Sequence, residues 1–98
     1  MSAKDCQTLS QVRAHIDQLD AQIVPLLVER TTFVTRAGEL KPNKALVIDP
    51  ERINIIIAKV QEQTRALGGN PVVVGDIYRK MIECFIAFEN GEWDRSHG

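Results

Sequence analysis

The sequence predicts an all-α fold of three helices, of which the first is unusually long. In the first half of the chain, apolar residues recur at alternating steps of three and four, which draws one stripe along one face of a helix. Asp49-Pro50 and Asn70-Pro71 each combine a helix-capping side chain with a proline suited to the first turn. Gly68-Gly69 ends the helix between these two starts.

The first helix is predicted from Leu9 to Lys41, because Pro42 disfavours helical geometry in the residue before it. Thr8 is its expected N-cap, with Gln11 completing a capping box. Its apolar stripe consists of Leu9, Val12, Ile16, Leu19, Ile23, Leu26, Phe33, Ala37 and Leu40. Pro25 interrupts the helix, but the stripe keeps its phase across it. We therefore favour one kinked helix over two separate helices.

The second and third helices also show apolar faces. The face of the second consists of Ile53, Ile56, Ile57, Val60 and Leu67, with Thr64 in phase. That of the third consists of Val74, Ile77, Tyr78, Met81, Ile82 and Phe85. Gly91 leaves two outcomes open, an end of the third helix or a short tail that carries Trp93. The run from Val72 to Val74 is compatible with a strand, but no other segment supports one.

Length and charge narrow the class of protein. The 98 residues suit a single domain over 1–98, with 1–7 as a flexible arm. Twelve basic and thirteen acidic side chains nearly cancel, so we expect no nucleic-acid partner and no membrane partner. We expect a cytoplasmic protein, because the N-terminus has no apolar signal core. Cys6 and Cys84 are expected to be reduced thiols, and no metal-ligand spacing surrounds them.

Two charged residues occupy positions where the helical pattern requires apolar ones. The stripe of the first helix predicts an apolar residue at position 30, and the chain has Arg30. A guanidinium on such a seam needs an anionic partner, since burying it alone costs several kcal/mol. The seam of the third helix, continued by four residues, reaches Glu89. A structural ion pair between Arg30 and Glu89 and a binding site for an anionic ligand both remain open.

The length of the first helix predicts a dimer. About 32 residues of helix span about 50 Å. A compact domain of this size is only about 35 Å across, given a radius of gyration near 13 Å. Two shorter helices cannot cover such a helix along its length, whereas a second chain lying beside it can.

Cationic residues along the first helix suggest a shared anion site. Arg30 and Lys41 lie on one face, about 16 Å apart along the axis, so their long side chains can converge on one small anion. Arg13 is about 25 Å from Arg30, beyond the same pocket in one chain. In an antiparallel dimer, the partner subunit's Arg13 closes that gap. The alternatives are a surface role for Arg13 and helix-end capping by Lys41.

Several segments together carry a family resemblance: Val12–Asp20, Ile23-Val24, Leu26-Leu27, Glu29-Arg30, Asp49–Arg52 and Ile77–Glu89. Their combined spacing, which covers the chain from Cys6 onward, resembles the all-helical chorismate mutase family. The resemblance implies an intertwined helical homodimer with two active sites. Each site would take one arginine, matching Arg13, from the neighbouring chain. It also implies that chorismate is rearranged to prephenate without a cofactor or a metal.

Carried over by position, the resemblance implies a role for each polar residue. Arg13 and Arg30 would bind the two substrate carboxylates, since a planar guanidinium meets a carboxylate with two parallel bonds. Lys41 would donate to the ether oxygen of the enolpyruvyl group, and Glu89 would contact the same oxygen. Glu51 joins the expected substrate-binding residues.

The chemistry of a pericyclic rearrangement suits this small set of residues. The reaction requires a folded substrate and stabilisation of negative charge on the ether oxygen, and no nucleophile. A Glu89 carboxylate would oppose that charge, so we expect Glu89 to be protonated in the working enzyme and activity to rise at mildly acidic pH. Lys44 competes with Lys41 for the lysine role, because the loop register is open.

Departures from the typical mutase pattern define an alternative. Phe85, and either Val47 or Ile48, stand where bacterial mutases carry a serine and an acidic residue. Three other features resemble the isochorismate-pyruvate lyase branch, which forms salicylate and pyruvate: the opening Asp5-Cys6 with Leu9, the loop beginning at Lys41 and the late Trp93. Glu89, where that lyase has glutamine, favours a mutase. We therefore predict a chorismate mutase, with the lyase as the alternative. A third hypothesis is a non-catalytic helical dimer that serves as a binding module.

Overall fold

The computed structural model describes residues 2–98, and this part of the chain forms three α-helices and no strand. Helix α1 spans Leu9–Leu40, α2 spans Pro50–Ala66 and α3 spans Pro71–His97. Short 3-10 turns at Ala3–Asp5 and Lys44–Val47 precede α1 and α2. The predicted all-α fold with a long first helix is confirmed, and the three valines that begin α3 are helical. No helix within 2–98 is both long and apolar enough to cross a membrane.

Side-chain caps begin all three helices at the predicted residues. The Thr8 hydroxyl accepts from the backbone N–H of Gln11 at 3.1 Å, while the Gln11 side chain accepts from the backbone of Gln7. The carboxylate of Asp49 accepts from the backbone N–H of Arg52 at 3.0 Å, with Pro50 in the first turn of α2. The Asn70 side chain caps α3 in the same way. Each bond satisfies a donor that the first helical turn leaves unpaired.

Proline and glycine act differently at the three positions where the sequence suggested a break or an end of a helix. Helix α1 continues through Pro25, so the choice of one helix over two is confirmed. Gly68, after the end of α2, has φ of 75°, a left-handed conformation that glycine adopts without strain. Gly91 does not end α3, which continues to His97. A single glycine inside a helix costs only about 1 kcal/mol, and side-chain contacts made beyond it offset that cost.

The chain forms two compact units, one over residues 1–33 and one over 34–98. In the unit 34–98, α2 packs against α3, and the 3-10 turn at Lys44–Val47 also packs against α3. Its buried apolar side chains are Val47, Ile57 and Ile82. Leu67, which follows α2, and Ile77 in α3 were predicted as core but are exposed, because spacing along a helix does not specify which side chains a neighbouring element covers.

The unit 1–33 leaves the predicted apolar stripe open. Seven of its members are 38% to 68% exposed: Leu9, Val12, Ile16, Leu19, Ile23, Leu26 and Phe33. In the predicted arm, Ala3–Asp5 forms a 3-10 turn in which the Asp5 carboxylate accepts from the backbone N–H of Ser2 at 2.9 Å. Position 1 lies outside the described residues, and a flexible arm over 1–7 stays a prediction.

Candidate active site

Lys41 and Glu89 form a partly buried ion pair in the unit 34–98. Lys41 directly follows α1, and Glu89 lies in α3. The Lys41 Nζ is 2.5 Å from the Glu89 Oε2. Glu89 is only 7% exposed, so its carboxylate depends on this ammonium for compensation. The structure thus brings together two residues that the sequence nominated separately, one from the end of a helix and one from a seam.

Gly38 provides the space in which the Glu89 side chain lies. Gly38 is buried in α1, and a Cβ added there would be 3.2 Å from the Glu89 Cγ. That separation is closer than an ordinary carbon–carbon contact of about 3.5–4.0 Å. The same Cβ would be 3.9 Å from the backbone nitrogen of Trp93. A glycine at position 38 therefore allows α3 to approach α1 closely beside the ion pair.

Trp93 is a residue of this region that the sequence-based site did not include. Its indole Nε1–H donates to the backbone carbonyl of Lys41 at 2.9 Å. Its ring stacks on that of His97, with centroids 4.2 Å apart and planes inclined by 9°. Trp93 lies four residues after Glu89, so both project from the same face of α3. That spacing was a usable signal, but it required α3 to continue past Gly91.

The structure separates the two candidate lysines. Lys44 pairs with Asp94 at 2.8 Å, and both side chains are exposed, by 45% and 58%. Lys41, by contrast, contacts the buried Glu89. An exposed pair such as Lys44–Asp94 contributes little to stability and is screened by salt. The geometry therefore favours Lys41 for the lysine role.

The remaining predicted site residues lie apart from this cluster in the sequence. Arg13 and Arg30 belong to the part of α1 in the unit 1–33, where Arg13 is exposed and Arg30 half-buried. Glu51 is exposed in the first turn of α2. Substrate binding by these three residues stays a prediction, as does the alternative ion pair between Arg30 and Glu89.

The donor set at Lys41 has a definite chemical capacity. A lysine ammonium carries three N–H donors, and Glu89 accepts one of them. The others can bind an anion or an ether oxygen.

Cys6 and Cys84 are free thiols. Between residues 2 and 98, no group of three or more His, Cys, Asp or Glu side chains is arranged to hold a metal ion.

Comparison with known proteins assigns the chain to a family. The family model described as chorismate mutase type II matches residues 12–90. The chain belongs to the chorismate mutase type II family. The match includes the predicted site residues from Arg13 to Glu89 and ends three residues before Trp93. Membership confirms the predicted family and the predicted enzyme class, a chorismate mutase, which is an isomerase.

Three curated relatives differ in how much of their own length they share with this type II chain. The isochorismate pyruvate lyase of Pseudomonas aeruginosa is 26% identical over 95 residues, covering 97% of this chain and 94% of the relative. The T-protein of Enterobacter agglomerans is 31% identical over 83 residues, 84% of this chain and 22% of that protein. The bifunctional chorismate mutase/prephenate dehydratase of Aquifex aeolicus is 31% identical over 87 residues, 85% of this chain.

The chain spans 24% of the bifunctional Aquifex protein, and so corresponds to about a quarter or less of the two longer relatives. It spans nearly all of the lyase, at lower identity. The mutase prediction therefore agrees with the family and with the relative whose name includes chorismate mutase. The lyase alternative agrees with a more distant relative of matching length.

Proposed function

We propose that this protein catalyses the rearrangement of chorismate to prephenate. The observation that carries the proposal is the partly buried Lys41–Glu89 pair, whose Nζ and Oε2 atoms are 2.5 Å apart, within a type II chorismate mutase chain. The reaction breaks one C–O bond, forms one C–C bond and neither gains nor loses a proton. A site of fixed hydrogen-bond donors and cations is therefore sufficient for it.

Lys41 acts on the ether oxygen of the breaking bond in this proposal. Negative charge accumulates on that oxygen as the C–O bond lengthens. A fixed ammonium group stabilises this charge better than mobile water dipoles do. Glu89 occupies one N–H of Lys41 and leaves donors for the substrate. The Glu89 carboxyl itself assists only when it carries a proton, because an ionised carboxylate would repel the same oxygen.

The two carboxylates of chorismate require further cations, for which we propose Arg30 of one chain and the partner subunit's Arg13. The stripe along residues 9–33 supports a homodimer, because seven apolar side chains on one helix face are exposed in a single chain. A second copy lying along this face would bury them. Glu51 would line the same site, where its carboxylate can accept a hydrogen bond from the single hydroxyl group of chorismate.

A lyase acting on isochorismate is the second candidate, favoured by the relative that matches this chain over nearly its whole length. Glu89 argues against the lyase, because the family resemblance implies a glutamine at this position in that enzyme. Incubation of the purified protein with chorismate and, separately, with isochorismate distinguishes the candidates. We expect prephenate from chorismate. Salicylate and pyruvate from isochorismate alone would establish the lyase, and no product from either substrate would favour a non-catalytic binding module.

We also infer a cytoplasmic location. The free thiols of Cys6 and Cys84 support it, because thiols stay reduced in the cytoplasm. Fractionation of cells that produce the protein at native level should recover it with the cytoplasm, and recovery from the periplasm or medium would contradict the inference.

A further inference from the structure

Helix α3 forms hydrogen bonds with both the side chain and the backbone of Lys41. In the side-chain hydrogen bond, the Glu89 Oε2 accepts from the Lys41 Nζ at 2.5 Å. In the backbone hydrogen bond, the Trp93 Nε1–H donates to the Lys41 carbonyl at 2.9 Å. Both partners come from consecutive turns of one helix, so their separation is fixed by helix geometry. Lys41 is thereby held at two points by a single rigid element.

The backbone bond to Trp93 satisfies a group that would otherwise lack a partner. Helix α1 ends at Leu40, and the backbone N–H of Lys41 still donates to the carbonyl of Ala37. Carbonyls at the end of a helix have no intrahelical donor, and partly buried ones require another. The half-buried indole of Trp93 supplies that donor. The position from which the Lys41 side chain extends is thus set by α3.

We propose that Trp93 is a positioning residue for the Lys41 ammonium. It acts through its indole N–H, which fixes the backbone of Lys41 and so limits the positions open to Nζ. This inference rests on the proposed function, in which Lys41 stabilises the ether oxygen. A displacement of about 1 Å in such a group is enough to weaken transition-state stabilisation strongly, while substrate binding through the arginines is unaffected.

A purely structural role of Trp93 predicts different results. In that case the indole would serve as an apolar ring packed at the end of α3, stacked on His97. Replacing the N–H while keeping the ring would then change nothing. Its contribution would also be independent of the side chain at position 41, since packing of a ring does not depend on a distant ammonium.

A double-mutant cycle separates the two roles. The cycle compares the wild-type protein, Trp93→Phe, Lys41→Ala and the double variant with chorismate as substrate. We expect Trp93→Phe to lower kcat by about fivefold to tenfold, with KM within about twofold, as loss of one hydrogen bond allows. In the Lys41→Ala background we expect the same change to have almost no further effect on kcat, because the group it positions is gone.

An isosteric replacement guards against a misfolded variant. Trp93 is the only tryptophan of the chain, so incorporation of benzothienylalanine in place of tryptophan changes this position alone. This residue keeps the bicyclic ring and replaces the N–H with sulfur. It should reproduce the loss seen with Trp93→Phe, at unchanged helical content and melting temperature. His97→Ala is the control that removes the stacked ring and keeps the N–H, and its kcat should match the wild type.

The outcomes distinguish failure of this inference from failure of the proposed function. Equal effects of Trp93→Phe in the presence and absence of Lys41, or full activity of the benzothienylalanine protein, would overturn the positioning role while the mutase activity stands. A wild-type protein that forms no prephenate would instead overturn the proposed function, and the cycle would then be measured with isochorismate. Loss of activity in His97→Ala equal to that in Trp93→Phe would assign the effect to ring packing.

Discussion

The two compact units of the chain differ in what covers their apolar side chains. In the unit 34–98, Val47, Ile57 and Ile82 are 3% to 7% exposed, and α2 and α3 enclose them. In the unit 1–33, Leu19 and Phe33 are 55% and 68% exposed on one open helix face. The unit 34–98 buries an apolar core of its own, whereas the unit 1–33 leaves its apolar side chains exposed.

This difference assigns separate tasks to the two units. The unit 34–98 already brings Lys41, Glu89 and Trp93 into contact, so this part of the proposed site forms within one chain. The unit 1–33 carries the arginines on a helix whose apolar face is stable only against another surface. The proposed site therefore depends on folding in one unit and on association in the other, and variants in the two units should fail in different ways.

A charge on the stripe should have the largest effect. We expect Leu19→Glu to prevent dimer formation and to reduce prephenate formation below detection, because a carboxylate in an apolar interface costs several kcal/mol. Sedimentation and circular dichroism measure the assembly and the helical content. Ala21→Glu adds the same charge on the opposite helix face and should leave the dimer intact. A fully active monomer of Leu19→Glu would contradict the role given to the stripe.

Removal of the seam guanidinium should come next. We expect Arg30→Ala to lower kcat/KM by about a hundredfold or more, the loss typical of a missing transition-state donor. The dimer should persist, which distinguishes this variant from the previous one. Arg36→Ala is a matched control on the same helix, since Arg36 is exposed and pairs only loosely with Glu39 at 3.6 Å. Equal activities of the two variants would exclude Arg30 from the site.

The Glu89 variant should alter the pH dependence more than the maximal rate. Only a protonated Glu89 can donate to the ether oxygen, whereas the amide of Glu89→Gln donates at every pH. Any pH dependence of the wild-type kcat that comes from Glu89 should therefore be absent from Glu89→Gln. Rate measurements of both proteins across the pH range test this difference. Superimposable profiles of the two proteins would remove Glu89 from the mechanism.

The smallest effect is expected at the exposed pair. Lys44→Ala removes the contact with Asp94, and we expect kcat within about twofold of the wild type, because exposed ion pairs contribute little. Lys41→Ala, three residues earlier, should lose far more activity. If the two losses were interchanged, Lys44 rather than Lys41 would be the lysine that serves the substrate.

Local signals in the sequence predicted most of the fold and part of the site. Asp49 and Asn70 cap their helices because the required partners lie two or three residues away. Glu89 was identified because a charge at a seam position is unusual in any helix. The bond between Trp93 and the Lys41 carbonyl joins residues 52 apart and depends on α3 continuing past Gly91, so no local pattern revealed it. Leu67 followed the apolar pattern but is 87% exposed, because its surroundings depend on tertiary packing.

Complementation between two defective chains tests the shared site most directly. Arg13→Ala and Lys41→Ala proteins are each assayed with chorismate, then unfolded together and refolded as a mixture to exchange subunits. If the partner's Arg13 serves the site of Lys41, each mixed dimer contains one intact site, and activity should recover to about a quarter of the wild-type value. If the mixture stays as inactive as the separate variants although mixed dimers have formed, both residues act within one chain and the shared site is contradicted.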